Sequence, residues 1–203
     1  MNLKLILKAI RAFRAGRVGD AAVYKAAAIS APAYPDVDRR VRQLANPFPT
    51  IDLHTLRKLK SDTFGHAYAL FMQENFLTPL VISPETADEL ASTNVLAVRY
   101  PILHDAFHVL LGFDASLPGE LGVWTFVAGQ HYSPSFDRAA MFTRLLYPMV
   151  APLKFGELRQ QGQRGRTLAR QVPCLIAQPI DKFWHESLAE VREKLRITAP
   201  GGR

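Results

Sequence analysis

Residues 100–112 have the sequence YPILHDAFHVLLG, an apolar run that contains two histidines and one aspartate. His104 and His108 are four residues apart, and Asp105 is three residues before His108. In an α-helix, side chains at positions i and i+4 lie on the same face. The run therefore predicts a helix that presents both imidazoles on one face, with Asp105 at the border of that face.

The segment after this helix indicates that the chain turns back towards the histidines. Gly112 can end one helix, and Pro118 can begin the next one near its first turn. Glu120 follows Pro118 within that first turn. An antiparallel helix pair would bring the Glu120 carboxylate back to His104 and His108, so we expect a site between two consecutive helices.

Imidazole nitrogens and carboxylate oxygens together suit a transition metal, whereas Ca²⁺ and Mg²⁺ prefer oxygen ligands. We therefore expect a divalent ion, with Zn²⁺ preferred and Fe²⁺ or Mn²⁺ as alternatives. Four ligands would close a tetrahedral site, so either the coordination number is higher or Asp105 acts as a base outside the ligand set. The open alternative is that His104 and His108 line an ordinary helix, because this spacing is common on helices.

The remaining chain is dominated by helix start and stop signals, with no convincing strand pattern or internal repeat. The predicted helices run from Asp62 to near Asn75, from Ser83 to Tyr100, from Pro101 to Gly112, from Pro118 onward, from Phe136 to Val150, and from Asp181 to Leu195. No Gly/Ser-rich linker divides the 203 residues. We therefore predict an all-α fold, a single-domain compact multi-helix bundle over residues 1–203.

Residues 1–19 form a basic amphipathic segment in which no acidic residue occurs. On a helical wheel, one arc holds the apolar residues Leu5, Ile6, Ala9, Ala12 and Phe13, and the opposite arc holds the basic residues Lys4, Lys8, Arg11 and Arg14. Such a helix either lies on anionic lipid or packs on the core with its basic face in solvent. The sequence leaves both alternatives open.

Composition limits the classes of partner. No apolar stretch reaches the roughly 18 residues that a membrane-spanning helix needs, and the single Cys174 excludes an internal disulfide. A net charge of +7 raises nucleic acid as a partner. However, the basic residues fall in residues 1–19 and between Arg159 and Arg170, without interleaved aromatic residues. We therefore expect no nucleic-acid partner.

The motif HDxxH, eleven residues, Glu resembles that of the ubiquinone (coenzyme Q) biosynthesis protein family counted fourth in its pathway. In this sequence it comprises His104, Asp105, His108 and Glu120. The similarity covers residues 62–200, including the tail from Pro173 through Trp184 to Pro200. The resemblance implies a helical, peripheral membrane protein in which those four motif residues hold the metal and carry the catalysis.

The activity implied by the resemblance is metal-dependent C1 decarboxylation, with coupled hydroxylation, of a polyprenylated hydroxybenzoate precursor of ubiquinone. The alternative is a non-catalytic prenyl-lipid-binding scaffold that organises the biosynthetic complex. Implied partners are the prenylated precursor, the membrane surface and other ubiquinone biosynthesis proteins, with a homodimer as an open alternative to a monomer. The implied location is the cytoplasmic face of a bacterial inner membrane, or the matrix side of the mitochondrial inner membrane in a eukaryote.

A prenyl tail would require an apolar tunnel between helices. Aromatic residues that could line it are Phe64, Tyr68, Phe71, Phe107 and Trp124. The candidate substrate-binding residues are Arg99, Tyr68, Phe107 and Trp124. Ordinary core packing is the alternative interpretation for each aromatic residue.

Overall fold

The computed structural model describes residues 2–139 and 152–198. The α-helices that lie wholly within these residues are α1 (Leu3–Arg14), α2 (Val18–Ile29), α3 (Pro35–Arg42), α4 (Leu53–Arg57), α5 (Phe64–Glu74), α6 (Pro84–Leu111), α7 (Leu117–Gly129), α8 (Phe155–Gln171) and α9 (Leu188–Lys194). Short 3₁₀ turns span Pro152–Lys154, Leu175–Ala177 and Ile180–Phe183. Within the described ranges no β-strand occurs, and a single antiparallel bridge joins Thr63 and Ser187. The predicted all-α fold is confirmed.

The second half of α6 is the centre of the core. From Val95 to Leu111 most of its side chains are buried, and Leu103, Phe107 and Leu110 are completely inaccessible. Side chains from α2, α3, α5, α7 and α9 pack around them in one continuous hydrophobic cluster. Because burying each large apolar side chain contributes roughly 1.5–3 kcal/mol, this cluster holds α6 rigidly in place.

The predicted helix boundary at Pro101 is wrong, since α6 runs through Pro101 without a break. The break occurs at Asn94, whose backbone leaves the helical region with φ −153° and ψ 77°. The Asn94 Oδ1 accepts a hydrogen bond from Ala97 N at 3.2 Å, as an N-cap residue does. The Asn94 Nδ2 donates to Ser30 Oγ at the end of α2. The Asn94 cap and its hydrogen bond to Ser30 therefore fix the position at which the histidine-bearing half of α6 begins.

Two predicted helix caps also differ in the structure. Thr63, one residue after Asp62, caps α5 by accepting a hydrogen bond from His66 N, and α5 ends at Glu74 with Asn75 as its C-cap, near Asn75 as predicted. Asp181 lies in a 3₁₀ turn, and α9 begins only at Leu188. The intervening backbone carbonyls accept hydrogen bonds from the first residues of α5, so this segment satisfies the free N–H groups of another helix.

Residues 134–139 are helical, and the rest of the helix predicted over 136–150 lies outside the described residues. Cys174 is partly buried against the core. In the part of the chain that the structure describes, no helix is both long and apolar enough to cross a membrane.

Two arginines hold the end of α6. Arg192 donates hydrogen bonds to the carbonyls of Val109 and Leu110 at 2.8 and 2.9 Å, and Arg164 donates to those of Leu111 and Gly112. The last carbonyls of a helix lack partners within it and carry partial negative charge, so cations stabilise them. Gly112 adopts the left-handed conformation (φ 69°) that ends the helix as predicted.

Helices α7 and α8 approach each other closely at Gly165. A β-carbon placed on Gly165 would lie 2.2 Å from the Gly122 carbonyl oxygen and 2.3 Å from Thr125 Oγ1. Real β-carbons do not approach backbone oxygens so closely, so the two helices can pack at this distance only with glycine at position 165.

We expect Gly165→Ala to lower the free energy of unfolding by about 1–3 kcal/mol, because the two helices must move apart to make room for the methyl group. Gly162→Ala, one turn earlier on α8, is the matched control, since its β-carbon would meet neighbours only at 3.7 Å. There the substitution should raise the free energy of unfolding by about 0.5–1 kcal/mol through lower unfolded-state entropy. Urea unfolding measures both values, and equal effects of the two substitutions would contradict this packing.

Candidate metal centre

Three of the four predicted ligands meet at one point between α6 and α7. His104 Nε2 lies 3.5 Å from Glu120 Oε2, and His108 Nε2 lies 3.3 Å from Glu120 Oε1. One ligand atom from each residue fits within a span of 4.8 Å. The two histidines are one turn apart on α6, and Glu120 lies in the first turn of α7, which Ser116 caps through Gly119 N.

Asp105 lies beside this group but is not part of it. Its Oδ1 is 3.1 Å from His104 Nδ1, on the side of the imidazole opposite to Nε2. The contact favours the tautomer that keeps the proton on Nδ1 and leaves the Nε2 lone pair free. The structure therefore places Asp105 where it orients His104, and the possible ligands that it brings together are His104, His108 and Glu120.

His108 is oriented in the same way by a backbone carbonyl. Its Nδ1 lies 3.0 Å from the Asp114 carbonyl oxygen. Its buried Nε2 lies 3.3 Å from Glu120 Oε1 but does not form a hydrogen bond of good geometry with it. Gly119 allows this arrangement, because a β-carbon there would lie 2.0 Å from the same carbonyl oxygen. Nothing in the local sequence marks Asp114 as a histidine partner, although a glycine directly before Glu120 is an indirect sign of close backbone approach.

The donor set fits a divalent transition metal. A buried polar nitrogen without a partner is costly, and a metal ion would satisfy His108 Nε2 together with the Nε2 of His104 and the carboxylate of Glu120. Two histidines and one glutamate are a known donor set of catalytic zinc sites, which leave a further position open. The Nδ1 of each histidine already contacts an oxygen atom, that of Asp105 or of the Asp114 carbonyl, as is usual for histidines that bind metals.

Electrostatics in the metal-free protein also indicate a cation site. Burial lowers the pKa of His104, but hydrogen bonding to Asp105 and Glu120 and their charges outweigh this effect and raise that pKa to about 9. Burial raises the pKa of Glu120, but the two histidines outweigh it and hold that pKa at about 2. A protonated imidazole therefore supplies the positive charge that a bound ion would otherwise provide.

This pKa shift predicts how the stability of the metal-free protein depends on pH. The folded-state pKa of His104 exceeds its reference value of 6.5. Its contribution is complete below pH 6.5 and is lost as the pH rises through about 9. Chemical denaturation should show the free energy of unfolding falling over this range by on the order of 2 kcal/mol.

The variant His104→Gln serves as the control and should lack this fall. Zinc should suppress the fall in the unchanged protein, because the ion replaces the proton. A free energy of unfolding that stays level or rises from pH 6.5 to 9 in the metal-free protein would contradict the assigned geometry.

Aromatic rings surround the histidines. Phe71 of α5 stacks on His108 at a centroid distance of 5.5 Å, and Tyr100 packs edge-on against His104 at 5.7 Å. Tyr100 was not among the predicted site residues, although its position one turn before His104 is a signal that could have identified it. These rings pack against the imidazoles, while the side chains of His104 and Glu120 stay partly exposed to solvent.

The candidate substrate residues occupy different environments. Tyr68 is completely buried, its hydroxyl has no hydrogen-bond partner, and burial together with the Asp105 charge raises the pKa of its phenol. The buried Nε1 of Trp124 also lacks a partner, and Trp124 is one turn after Glu120 on α7. Phe107 packs inside the core against Phe126. Tyr68 and Trp124 therefore offer free donors.

Arg99 is completely buried and contacts the backbone. Its Nε, Nη1 and Nη2 donate to the carbonyls of Ile176, Pro47 and Gln178, respectively. Burial lowers the pKa of Arg99 to about 10. These contacts join α6 to two segments distant in sequence, so they support a structural role for Arg99.

Comparison with known proteins identifies the family. The family described as Coenzyme Q (ubiquinone) biosynthesis protein Coq4 matches residues 47–201. The mitochondrial ubiquinone biosynthesis protein COQ4 homologue of Xenopus tropicalis is 32% identical over 151 residues, covering 74% of this chain and 53% of the relative. The human homologue is 28% identical over 157 residues, covering 74% and 56%. The chain thus spans about half the length of these curated relatives.

A solved structure shows the same fold. The crystal structure of a protein from Nostoc punctiforme superposes with a TM-score of 0.64 at 23% sequence identity, covering 97% of each chain. The helical arrangement around α6 is therefore shared with that protein. Because the family match covers most of the chain, including the two histidines and the glutamate, the chain belongs to the Coenzyme Q (ubiquinone) biosynthesis protein Coq4 family.

Proposed function

We propose that the protein binds a divalent metal ion through His104, His108 and Glu120 and acts in ubiquinone biosynthesis as a metal-dependent carboxy-lyase. The proposed reaction removes the C1 carboxyl group of a polyprenylated hydroxybenzoate, with coupled hydroxylation. The observation that carries the proposal is the convergence of two oriented Nε2 donors on one carboxylate, with His108 Nε2 buried and without a hydrogen bond. Family membership supports the pathway.

When bound, a divalent ion at this site would act as a Lewis acid that stabilises negative charge on a substrate oxygen as carbon dioxide leaves. Zn²⁺ suits the donor set best, while Fe²⁺ would also serve the hydroxylation, which needs dioxygen and a reductant. Asp105 keeps His104 in the ligating tautomer. The rings of Phe71 and Tyr100 pack against the two imidazoles and help to fix their orientation.

The free donors of Tyr68 and Trp124 are suited to binding substrate oxygens. A buried hydroxyl without a partner costs about 1–3 kcal/mol, and a substrate phenol or carboxylate would recover that cost on binding. The raised pKa of Tyr68 keeps its proton in place as a hydrogen-bond donor. We therefore include Tyr68 and Trp124 in the proposed substrate site.

We expect Tyr68→Phe to reduce kcat/KM by about 10–100-fold, because one hydrogen bond to the substrate is lost. The metal content should stay the same, and the free energy of unfolding should rise by about 1–3 kcal/mol, because the variant no longer buries a hydroxyl without a partner. Turnover kinetics and elemental analysis of the same samples test this expectation. Full activity of the variant would exclude Tyr68 from the substrate site.

The proposed reaction can be tested directly with a prenylated hydroxybenzoate carrying an isotopic label in its carboxyl carbon. Metal-loaded protein, supplied with dioxygen and a reductant, should release labelled carbon dioxide, and the product should carry a hydroxyl group at C1. Chelated protein should release none. Absence of label release from fully metal-loaded protein would contradict the carboxy-lyase proposal and favour the non-catalytic prenyl-lipid-binding scaffold.

The proposed setting is a membrane surface, because a polyprenylated precursor partitions into lipid. We propose a peripheral location on the cytoplasmic face of a bacterial inner membrane, or on the matrix side of the mitochondrial inner membrane in a eukaryote. The relatives from Xenopus tropicalis and human are described as mitochondrial. Other ubiquinone biosynthesis proteins are the proposed protein partners.

A further inference from the structure

Helix α1 has one buried face and one exposed face, and both contain apolar residues. Ala9 and Ala12 are buried, with Leu5 partly buried beside them, on the side where α1 packs against α2. Phe13, which the helical wheel groups with these residues, is 66% exposed. The packing of α1 against α2 therefore buries the small side chains and leaves larger apolar side chains exposed to solvent.

The exposed apolar side chains form a line along α1. They are Leu3, Leu7, Ile10 and Phe13, which recur every three or four residues and are between 44% and 66% exposed. We call these four residues the α1 stripe; at 1.5 Å per residue it is about 15 Å long. Val18 and Val81 are also exposed, and the Val81 carbonyl lies against Gly19 at the start of α2.

Basic residues lie alongside the stripe. Lys4, Arg11 and Arg14 are exposed and form no salt bridge with any residue in 2–139 or 152–198. Lys8 and Arg17, in contrast, pair with Glu89 and Asp20. No acidic residue occurs in residues 1–19, so this surface combines exposed apolar area with unpaired positive charge.

We propose that the α1 stripe docks the protein on the surface of an anionic lipid bilayer. The four apolar side chains would enter the region between headgroups and acyl chains, and Lys4, Arg11 and Arg14 would contact lipid phosphates. Each basic residue near such a surface contributes attraction that depends on anionic lipid and weakens with salt. This proposal deepens the peripheral location given under the proposed function and rests on it.

The docking surface is connected to the metal centre through α2. Helix α2 packs against α6, and Ser30 at its end accepts the hydrogen bond from Asn94, where the histidine-bearing half of α6 begins. If α1 is fixed to the bilayer, the helix α2 packed against it would therefore also fix the orientation of α6. This would hold the metal centre in one orientation relative to the membrane.

Vesicle flotation tests the proposal, using phosphatidylcholine vesicles with and without phosphatidylglycerol. The unchanged protein should bind the anionic vesicles, and salt should release it. Leu3→Ser/Phe13→Ser should lower binding at least about tenfold, because two inserted side chains are lost. Arg11→Gln/Arg14→Gln should lower binding to anionic vesicles about tenfold or more.

The matched control is Leu153→Ser/Phe155→Ser, which removes an exposed leucine and an exposed phenylalanine from another part of the chain. It should bind as the unchanged protein does. Equal loss in the control, or equal binding to neutral and anionic vesicles, would overturn the proposal. The proposal would also be overturned if the unchanged protein did not bind vesicles but formed a dimer that Leu3→Ser/Phe13→Ser dissociates. The stripe would then be a self-association surface.

Metal content and circular dichroism of the same samples separate this test from the proposed function. Both should be unchanged in the α1 variants, because the stripe does not contact the metal centre. If the α1 variants lose vesicle binding but keep normal metal content, the result supports the docking surface whatever the chemistry of the centre. If the unchanged protein has normal metal content but does not bind vesicles, the docking surface is overturned and the carboxy-lyase proposal stays intact.

Discussion

Replacing His108 by alanine is expected to lower the affinity for the divalent ion by more than about 100-fold and to abolish turnover. The estimate follows because loss of an outer partner of a metal ligand already costs about 10–100-fold, and His108 is proposed as a ligand itself. Its buried Nε2 lies 3.3 Å from Glu120 Oε1, and in the part of the chain that the structure describes the group of possible ligands contains no fourth residue to replace it. Isothermal titration with Zn²⁺ measures the affinity.

Two comparisons make this result specific. His54→Ala removes an exposed histidine on α4 and should leave the affinity unchanged. Asp105→Asn should lower the affinity by about 10–100-fold, because Asp105 orients His104 without joining the ligand set. If Asp105→Asn is as damaging as His108→Ala, Asp105 is itself a ligand, as the sequence motif alone suggests. Unchanged affinity in His108→Ala would contradict the assigned site.

The largest effect on stability is expected for Arg99→Met. The substitution keeps much of the side-chain volume but leaves the carbonyls of Pro47 and Ile176 without a donor. The carbonyl of Gln178 loses Arg99 and keeps its second donor, the backbone N–H of Ile180. An unsatisfied buried carbonyl costs about 1–3 kcal/mol, so the free energy of unfolding should fall by about 3 kcal/mol or more. Denaturant titration with a fixed m-value measures the change.

Arg39→Met is the matched control, because Arg39 is exposed and pairs with Asp36 on the surface of α3. Its effect should stay within about 0.5 kcal/mol. Folded Arg99→Met protein should still bind the metal ion, since none of the three carbonyls belongs to a ligand. A loss below about 1 kcal/mol for Arg99→Met would contradict the structural role and return Arg99 to the substrate-binding candidates.

The meeting of His104, His108 and Glu120 could be predicted because each step depends on local sequence. Helical periodicity places the two histidines on one face, and Gly112 and Pro118 carry the backbone preferences that end one helix and begin the next. A loop this short makes the two helices neighbours in space. The glutamate then returns to the histidines without any contribution from distant residues.

The features that the sequence could not reveal depend on contacts between distant segments. The Asn94 break is stabilised partly by Ser30 of α2, which is 64 residues away in the chain. The arginines at the end of α6 come from α8 and α9. The exposure of Phe13 depends on which face of α1 meets α2. Periodicity shows that an apolar face exists, but it does not show which part of that face another helix will cover.

The claim that His104, His108 and Glu120 form a metal site is tested most directly by the metal content of the purified protein. Protein prepared without a histidine tag or added metal should contain about one divalent ion per chain by elemental mass spectrometry. The His104→Ala/His108→Ala variant should contain none while remaining helical by circular dichroism. No metal in the unchanged protein, even after divalent ions are offered, would contradict the account.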